Sequence, residues 1–159
     1  MIQRIQTLYL MLVVALGITL CFMSPVQLIS DESAEQLHQY EFSLMNIVDT
    51  TDADNPLPVM NTVSLMIISA VIPLLALVVV FLYRKRIIQA RLNAVNAFLC
   101  IGWYAILAVY VWFAKTNLQC DWFLTPWAAI PLVNLVLILM ATRAILRDEA
   151  LVRAADRIR

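Results

Sequence analysis

Residues 59–83 run without one charged side chain and end on Arg84, Lys85 and Arg86. A helix crosses a hydrocarbon core of roughly 30 Å with about 20 apolar residues, so this stretch spans with length to spare for tilt. The three bases cannot follow it through lipid, so they fix its end and its direction. The whole chain is 63% hydrophobic and 14% charged, whereas a soluble domain is nearer half apolar and a quarter charged. So much apolar surface cannot all enter a water-soluble core, and the chain reads as an integral membrane protein.

Three further apolar runs, 7–23, 92–114 and 126–142, complete a predicted set of four transmembrane helices. The first has the basic start of a signal peptide, but Ser24-Pro25-Val26-Gln27 offers no small-residue cleavage site, so it is read as retained. The expected fold class is an all-α integral membrane protein. It forms one membrane domain over 1–159, a four-helix bundle with a cytoplasmic helical extension of its fourth helix. Pro73, inside the second run, predicts a kink, because proline removes a backbone donor and crowds the preceding turn. Ser69, one turn earlier, is the expected side chain to serve the freed groups. The connector 84–93 holds no proline or glycine and reads as helical.

Charge is segregated although the formal sum is zero. Ten of the eleven bases lie at the amino terminus (Arg4), in the connector (Arg84, Lys85, Arg86, Arg91) and in the tail (Arg143, Arg147, Arg153, Arg157, Arg159); the exception is Lys115. The segment 24–58 carries seven acids and no Lys or Arg. Bases accumulate on the cytoplasmic side of short connections, so the termini and the connector are expected in the cytoplasm and the acidic loop outside. The localisation implied is a bacterial inner membrane, crossed several times.

The acidic loop reads as solvated. Tyr40, Phe42, Leu44 and Val48 alternate loosely with polar residues, which allows a short strand or hairpin. Asp49, Asp52, Asp54 and Asn55 are clustered oxygen donors, but the glycine and terminal glutamate of an EF-hand are missing. His38 is the sole histidine and is read as a surface residue. Cys21, Cys100 and Cys120 show no metal-binding or disulfide spacing and read as small hydrophobes. No metal, cofactor or catalytic residue is expected.

The tail, 143–159, contains no helix breaker. Glu149 and Arg153 stand at the favourable i,i+4 spacing, and Leu151, Ala155 and Ile158 share one face. A solvated face, a helix lying on lipid headgroups and a docking face for a partner all fit this pattern. Asp148 or Glu149 is expected near the connector bases, because few acids share that side with ten bases. The candidate interaction surface is therefore Arg84, Lys85, Arg86, Arg91, Asp148, Glu149, Leu151, Val152, Arg153, Ala155 and Ile158.

The opening Met1-Ile2-Gln3-Arg4-Ile5-Gln6-Thr7-Leu8-Tyr9-Leu10, the connector Arg86-Ile87-Ile88-Gln89-Ala90-Arg91-Leu92 and the tail from Arg143-Ala144-Ile145-Leu146-Arg147 to Arg159 resemble the DUF4293 family. These are uncharacterised four-span inner-membrane proteins from Bacteroidetes. The resemblance implies an inner-membrane location and four spans and carries no site residues. A transcription-termination label attached to some members finds no support here, since the chain has no G-x-x-x-x-G-K-[ST] nucleotide loop.

The predicted spans hold no charged residue in their cores; their polar residues are Thr19, Asn61, Ser64, Ser69, Asn96 and Asn134, with Asn93 at an edge. An ion-coupled carrier calls for an intramembrane carboxylate or histidine, and a hydrolase for a paired catalytic set. Asparagine and serine at these places are expected to make interhelical hydrogen bonds. The chain is thus expected to be a non-enzymatic structural or accessory subunit, with the bilayer and another membrane protein or a second copy as partners and no nucleic acid. A small oligomeric transporter or carrier subunit is the alternative.

Overall fold

The computed structural model describes residues 3–30, 40–50, 57–82, 85–118 and 120–156. Four helices and five strands follow in the order α1 Gln3–Cys21, β1 Val26–Ser30, β2 Tyr40–Phe42, β3 Asn46–Asp49, β4 Leu57–Asn61, α2 Val63–Phe81, α3 Arg86–Leu118, β5 Cys120–Leu124 and α4 Ile130–Asp156. A 3-10 turn, Pro126–Ala129, leads into α4, with proline at its start, where a missing backbone donor costs nothing. The helices pack side by side: α1 against α2 and α4, and α3 against the same two.

Two features correct the expected all-α, four-span architecture. The first is an antiparallel five-stranded sheet in the order β4-β3-β2-β1-β5. Its reach explains why the sequence hides it. β1 pairs with β5 over the full run from Val26↔Leu124 to Ser30↔Cys120, a partner ninety or more residues away. β4 contains Pro58, which suits an edge strand, and takes up Val59–Asn61 that the apolar run had assigned to the second span. The second feature is length. Three helices, Val63–Phe81, Arg86–Leu118 and Pro126–Val152, are long and apolar enough to cross a membrane. The apolar part of α1, Ile5–Cys21, is shorter, because Gln3 and Arg4 occupy its first turn and Ser24-Pro25 follow its end. α1 nevertheless runs alongside α2: Gly17 meets Pro73 so closely that an added Cβ would lie 2.9 Å from the proline Cβ.

The sheet caps one end of the helices, and its buried face continues into theirs. Val26, Leu28, Phe42 and Ile47 share one cluster with Leu65, Trp103, Leu107 and Ala114. A second cluster, around Leu10, Val13, Ile72, Ala76, Ile138 and Ala141, fills the other half. Along β2 the polar Glu41 is exposed between half-buried Tyr40 and buried Phe42, the alternation of a strand with one wet face. Unpaired edges of a sheet are not tolerated in hydrocarbon, so β4 and β5 hold this end outside the lipid core. Phe22, Trp112, Phe113, Trp122 and Trp127 are exposed next to it, the placement of an interfacial aromatic belt.

The connector is helical as expected: α3 begins at Arg86, and its backbone hydrogen bonds start with Gln89 N to Lys85 O at 3.0 Å. α4 runs unbroken from Ile130 to Asp156, so the tail prolongs the last helix as far as Asp156; the expectation for 157–159 lies outside the described residues. α2 continues through Pro73. The Ser69 hydroxyl does not turn to the proline gap; it donates to Leu65 O at 2.8 Å and accepts from Trp103 Nε1 at 2.8 Å.

Candidate interaction surface

At the end opposite the sheet, α2 stops at Phe81 and Leu82 N closes it onto Val78 O and Val79 O. A helix C-terminus leaves carbonyls without intrahelical donors. Buried Gln89 supplies one across the interface, Nε2 to Val79 O at 2.8 Å, and so ties the first turns of α3 to the last of α2. Arg86 Nη1 donates to the backbone carbonyl of Asp148 at 3.2 Å. The Asp148 carboxylate is buried and accepts a 2.5 Å bond from Gln6 Nε2. Three helices, α1, α3 and α4, are thereby fixed at one level by one aspartate.

The acids do lie by the connector bases, yet with different roles. Asp148 meets Arg86 through its carbonyl and Gln6 through its carboxylate, so it serves the packing and does not offer a charge to the surface. Glu149 stands on the surface between two clefts. One, of about 470 Å³, is lined by Lys85, Arg86, Ile87, Ile88, Glu149 and Val152. The other, of about 750 Å³, lies between α3 and α4, with Ile87, Arg91, Leu146 and Glu149 among its walls. Ile87, Ile88, Leu146, Leu151 and Val152 are exposed.

Of the expected surface, the fold brings Lys85, Arg86, Arg91, Glu149 and Val152 around these clefts, with Leu151 exposed beside them. Arg153 and Ala155 belong to the backbone of α4; their side chains, Arg84 and Ile158 lie outside the described residues. Sequence reasoning missed Gln6, Gln89, Ile87, Ile88 and Leu146. The two glutamines carried a signal, each a polar residue at an apolar-facing position near a helix end. The isoleucines and Leu146 carried none, because exposed apolar residues are the rule in a lipid-facing helix.

Of the polar residues expected to bridge helices, Ser64, Ser69 and Asn96 do so, whereas the Thr19 hydroxyl donates to Ala15 O within α1 and Asn61 Oδ1 accepts from Val63 N at the start of α2. Asn96 Nδ2 reaches Ile72 O at 3.1 Å, Trp103 Nε1 reaches Ser69, and Ser64 Oγ and Tyr110 OH share a 2.6 Å bond. Tyr104 OH links α3 to the start of α4, donating to Ala128 O at 2.6 Å and accepting from Leu132 N at 3.1 Å. Asn93 differs: among the described residues neither its Oδ1 nor its Nδ2 has a partner, and Asn96 Oδ1 and Asn134 Oδ1 share that condition. The clustered donors Asp52, Asp54 and Asn55, and His38, lie outside the described residues. Among the described residues no group of three or more His, Cys, Asp or Glu could hold a metal. The three cysteines are free thiols. At Cys120, in β5, burial pushes the thiol above its usual range, and Asp121 adds to the rise.

A comparison with curated proteins gives no match. The sequence profile of the DUF4293 family, described as a domain of unknown function, matches residues 2–158. That match spans all but the first and last residues, and the chain belongs to this family.

Proposed function

We propose that this chain is a small accessory subunit of a bacterial inner membrane, with both termini cytoplasmic, that holds a partner membrane protein on the end formed by the starts of α1 and α3 and the close of α4. The observation that carries this reading is the setting of Glu149, one acid between two clefts walled by Lys85, Arg86 and Arg91 and by exposed isoleucine, leucine and valine. Mixed charge gives orientation to an encounter and the apolar side chains give it buried area. The excess of bases supports a cytoplasmic setting for this end. Rim charges of this kind add only about 0–1 kcal/mol to folding, so their use lies in aiming contacts.

A photo-reactive amino acid at Ile88 or Val152, compared with one at Phe98 on the exposed middle of α3, tests the reading in intact membranes. Discrete protein adducts are expected at the first two and none at Phe98. Glu149→Lys and Lys85→Glu each lower the adduct yield, and the double exchange restores it. Equal behaviour at all three positions sinks the proposal and leaves a solvated face. The carrier reading has one observation in its favour, the partnerless interior atoms of Asn93, Asn96 and Asn134. Solute uptake into vesicles that is lost in Asn93→Leu would move the balance to it.

A further inference from the structure

At the sheet end, α3 and β5 enclose a groove of about 660 Å³, within the roughly 300–1,000 Å³ of small-molecule clefts. Its floor is apolar, with Leu107 and Val111 buried and Tyr104 at the far end. Trp112 and Trp122 flank the mouth, and Lys115 stands there, exposed. We propose that this groove seats one acyl chain of an anionic phospholipid, with the phosphate held by Lys115.

Four observations carry the assignment. The lining residues run along α3 from Tyr104 to Thr116, which at 1.5 Å per residue is about 18 Å, close to the ~15 Å depth of one leaflet's hydrocarbon. The base sits at the sheet end of that run, and the sheet lies outside the hydrocarbon, so Lys115 is at headgroup depth. Lys115 is also the one base in the sequence outside the three patches of the opposite end. Finally, the nearest acid in sequence is turned away. Strand side chains alternate faces, so Trp122 and Leu124, which line the groove, leave Asp121 on the other side of β5. An apolar trough one leaflet deep, with an exposed lysine and two exposed tryptophans in its lining toward the sheet end, has the polarity profile that complements an anionic amphiphile. Zwitterionic lipid would fill the trough equally and offer the same phosphate, but its own ammonium group competes with and repels Lys115, so it gains less at the base.

Native mass spectrometry of the full chain released from detergent, with dioleoyl phosphatidylglycerol or dioleoyl phosphatidylcholine added, tests this. The parent should retain the glycerol lipid in preference. Lys115→Gln should lower that retention about five-fold, to the level of the choline lipid, which is the gain of one base near an anionic surface. Lys115→Arg should keep it. Ala108→Trp, which fills the groove from an exposed position on α3, should lower both lipids. Lys85→Gln, at the opposite end, should leave the Lys115-dependent adduct unchanged. Undiminished retention in Lys115→Gln or in Ala108→Trp overturns the proposal, as does loss of the same adduct in Lys85→Gln.

Discussion

The two ends of this protein are built by different physics. At the sheet end, strands from four separate stretches close over a shared apolar cluster that reaches Trp103 and Leu107 within the helices. Its stability comes from burying side chains away from water, and its longest ladder, β1 with β5, joins strands distant in sequence. At the opposite end no strand is needed. Neighbouring helix termini satisfy one another through Gln89, Arg86, Asp148 and Gln6, and the apolar side chains stay outside. The exposed side chains of the sheet end are mostly aromatic, whereas at the opposite end exposed aliphatic side chains stand among acids and bases around two clefts, which is why the docking role is proposed for the second.

The largest effect that should separate them is truncation of a core residue. Phe42→Ala removes a fully buried ring from the sheet's inner face and should cost about 3–5 kcal/mol, read as a large drop in melting temperature in detergent. Leu151→Ala, at the open end, should leave the melt within about 0.5 kcal/mol of the parent. If the two variants melt alike, the ends do not differ in the way described.

Midway between the ends, Gly17 and Pro73 set how closely α1 approaches α2. Gly17→Ala places its Cβ against the proline ring and should cost about 1–3 kcal/mol, since neither helix can give way without losing packing. Pro73→Gly, which removes Cβ, Cγ and Cδ together, should make Gly17→Ala nearly neutral when the pair is compared with Pro73→Gly alone. Failure of the second change to rescue would mean that the contact is not what limits position 17.

Asn93 provides a smaller and opposite effect. A buried amide without partners adds desolvation cost and no bond, so Asn93→Leu should be neutral or raise the melting temperature by an amount worth about 1 kcal/mol. Marked destabilisation would show that a group other than the described residues bonds this amide.

Alkaline pH should loosen the sheet end, by the smallest margin. Cys120 is raised by burial and by Asp121, and Tyr40 by burial, Asp49 and Cys120. Raised acids favour their protonated form in the folded state, so their contribution is present at neutral pH and declines as pH climbs past the ordinary thiol and phenol values. Trp122 fluorescence should report the change, and Cys120→Ala should reduce it.

The same contrast explains what could be read from the sequence. The helices, the unbroken tail and the meeting of Glu149 with the connector bases were legible, because apolar run length and charge segregation are local signals. The sheet was legible only as a loose alternation at Tyr40, Phe42, Leu44 and Val48. β1 and β5 are five residues each, and nothing near either announces its partner across the chain. Pro58 and the apolar Val59 made β4 resemble the start of a span. Asp148 reads from the sequence as a surface acid because few acids share that side with ten bases; its burial depends on Gln6, which only the packing of α1 against α4 brings near.

The most direct test of the account compares the ends across the membrane. Cys21, Cys100 and Cys120 are replaced, single cysteines are placed at exposed Val59 in β4 and exposed Ile88 in α3, and spheroplasts are treated with a membrane-impermeant maleimide. The account predicts that Val59→Cys reacts in intact spheroplasts and that Ile88→Cys reacts only after lysis. Labelling of Ile88→Cys from outside, with Val59→Cys protected until lysis, would contradict it.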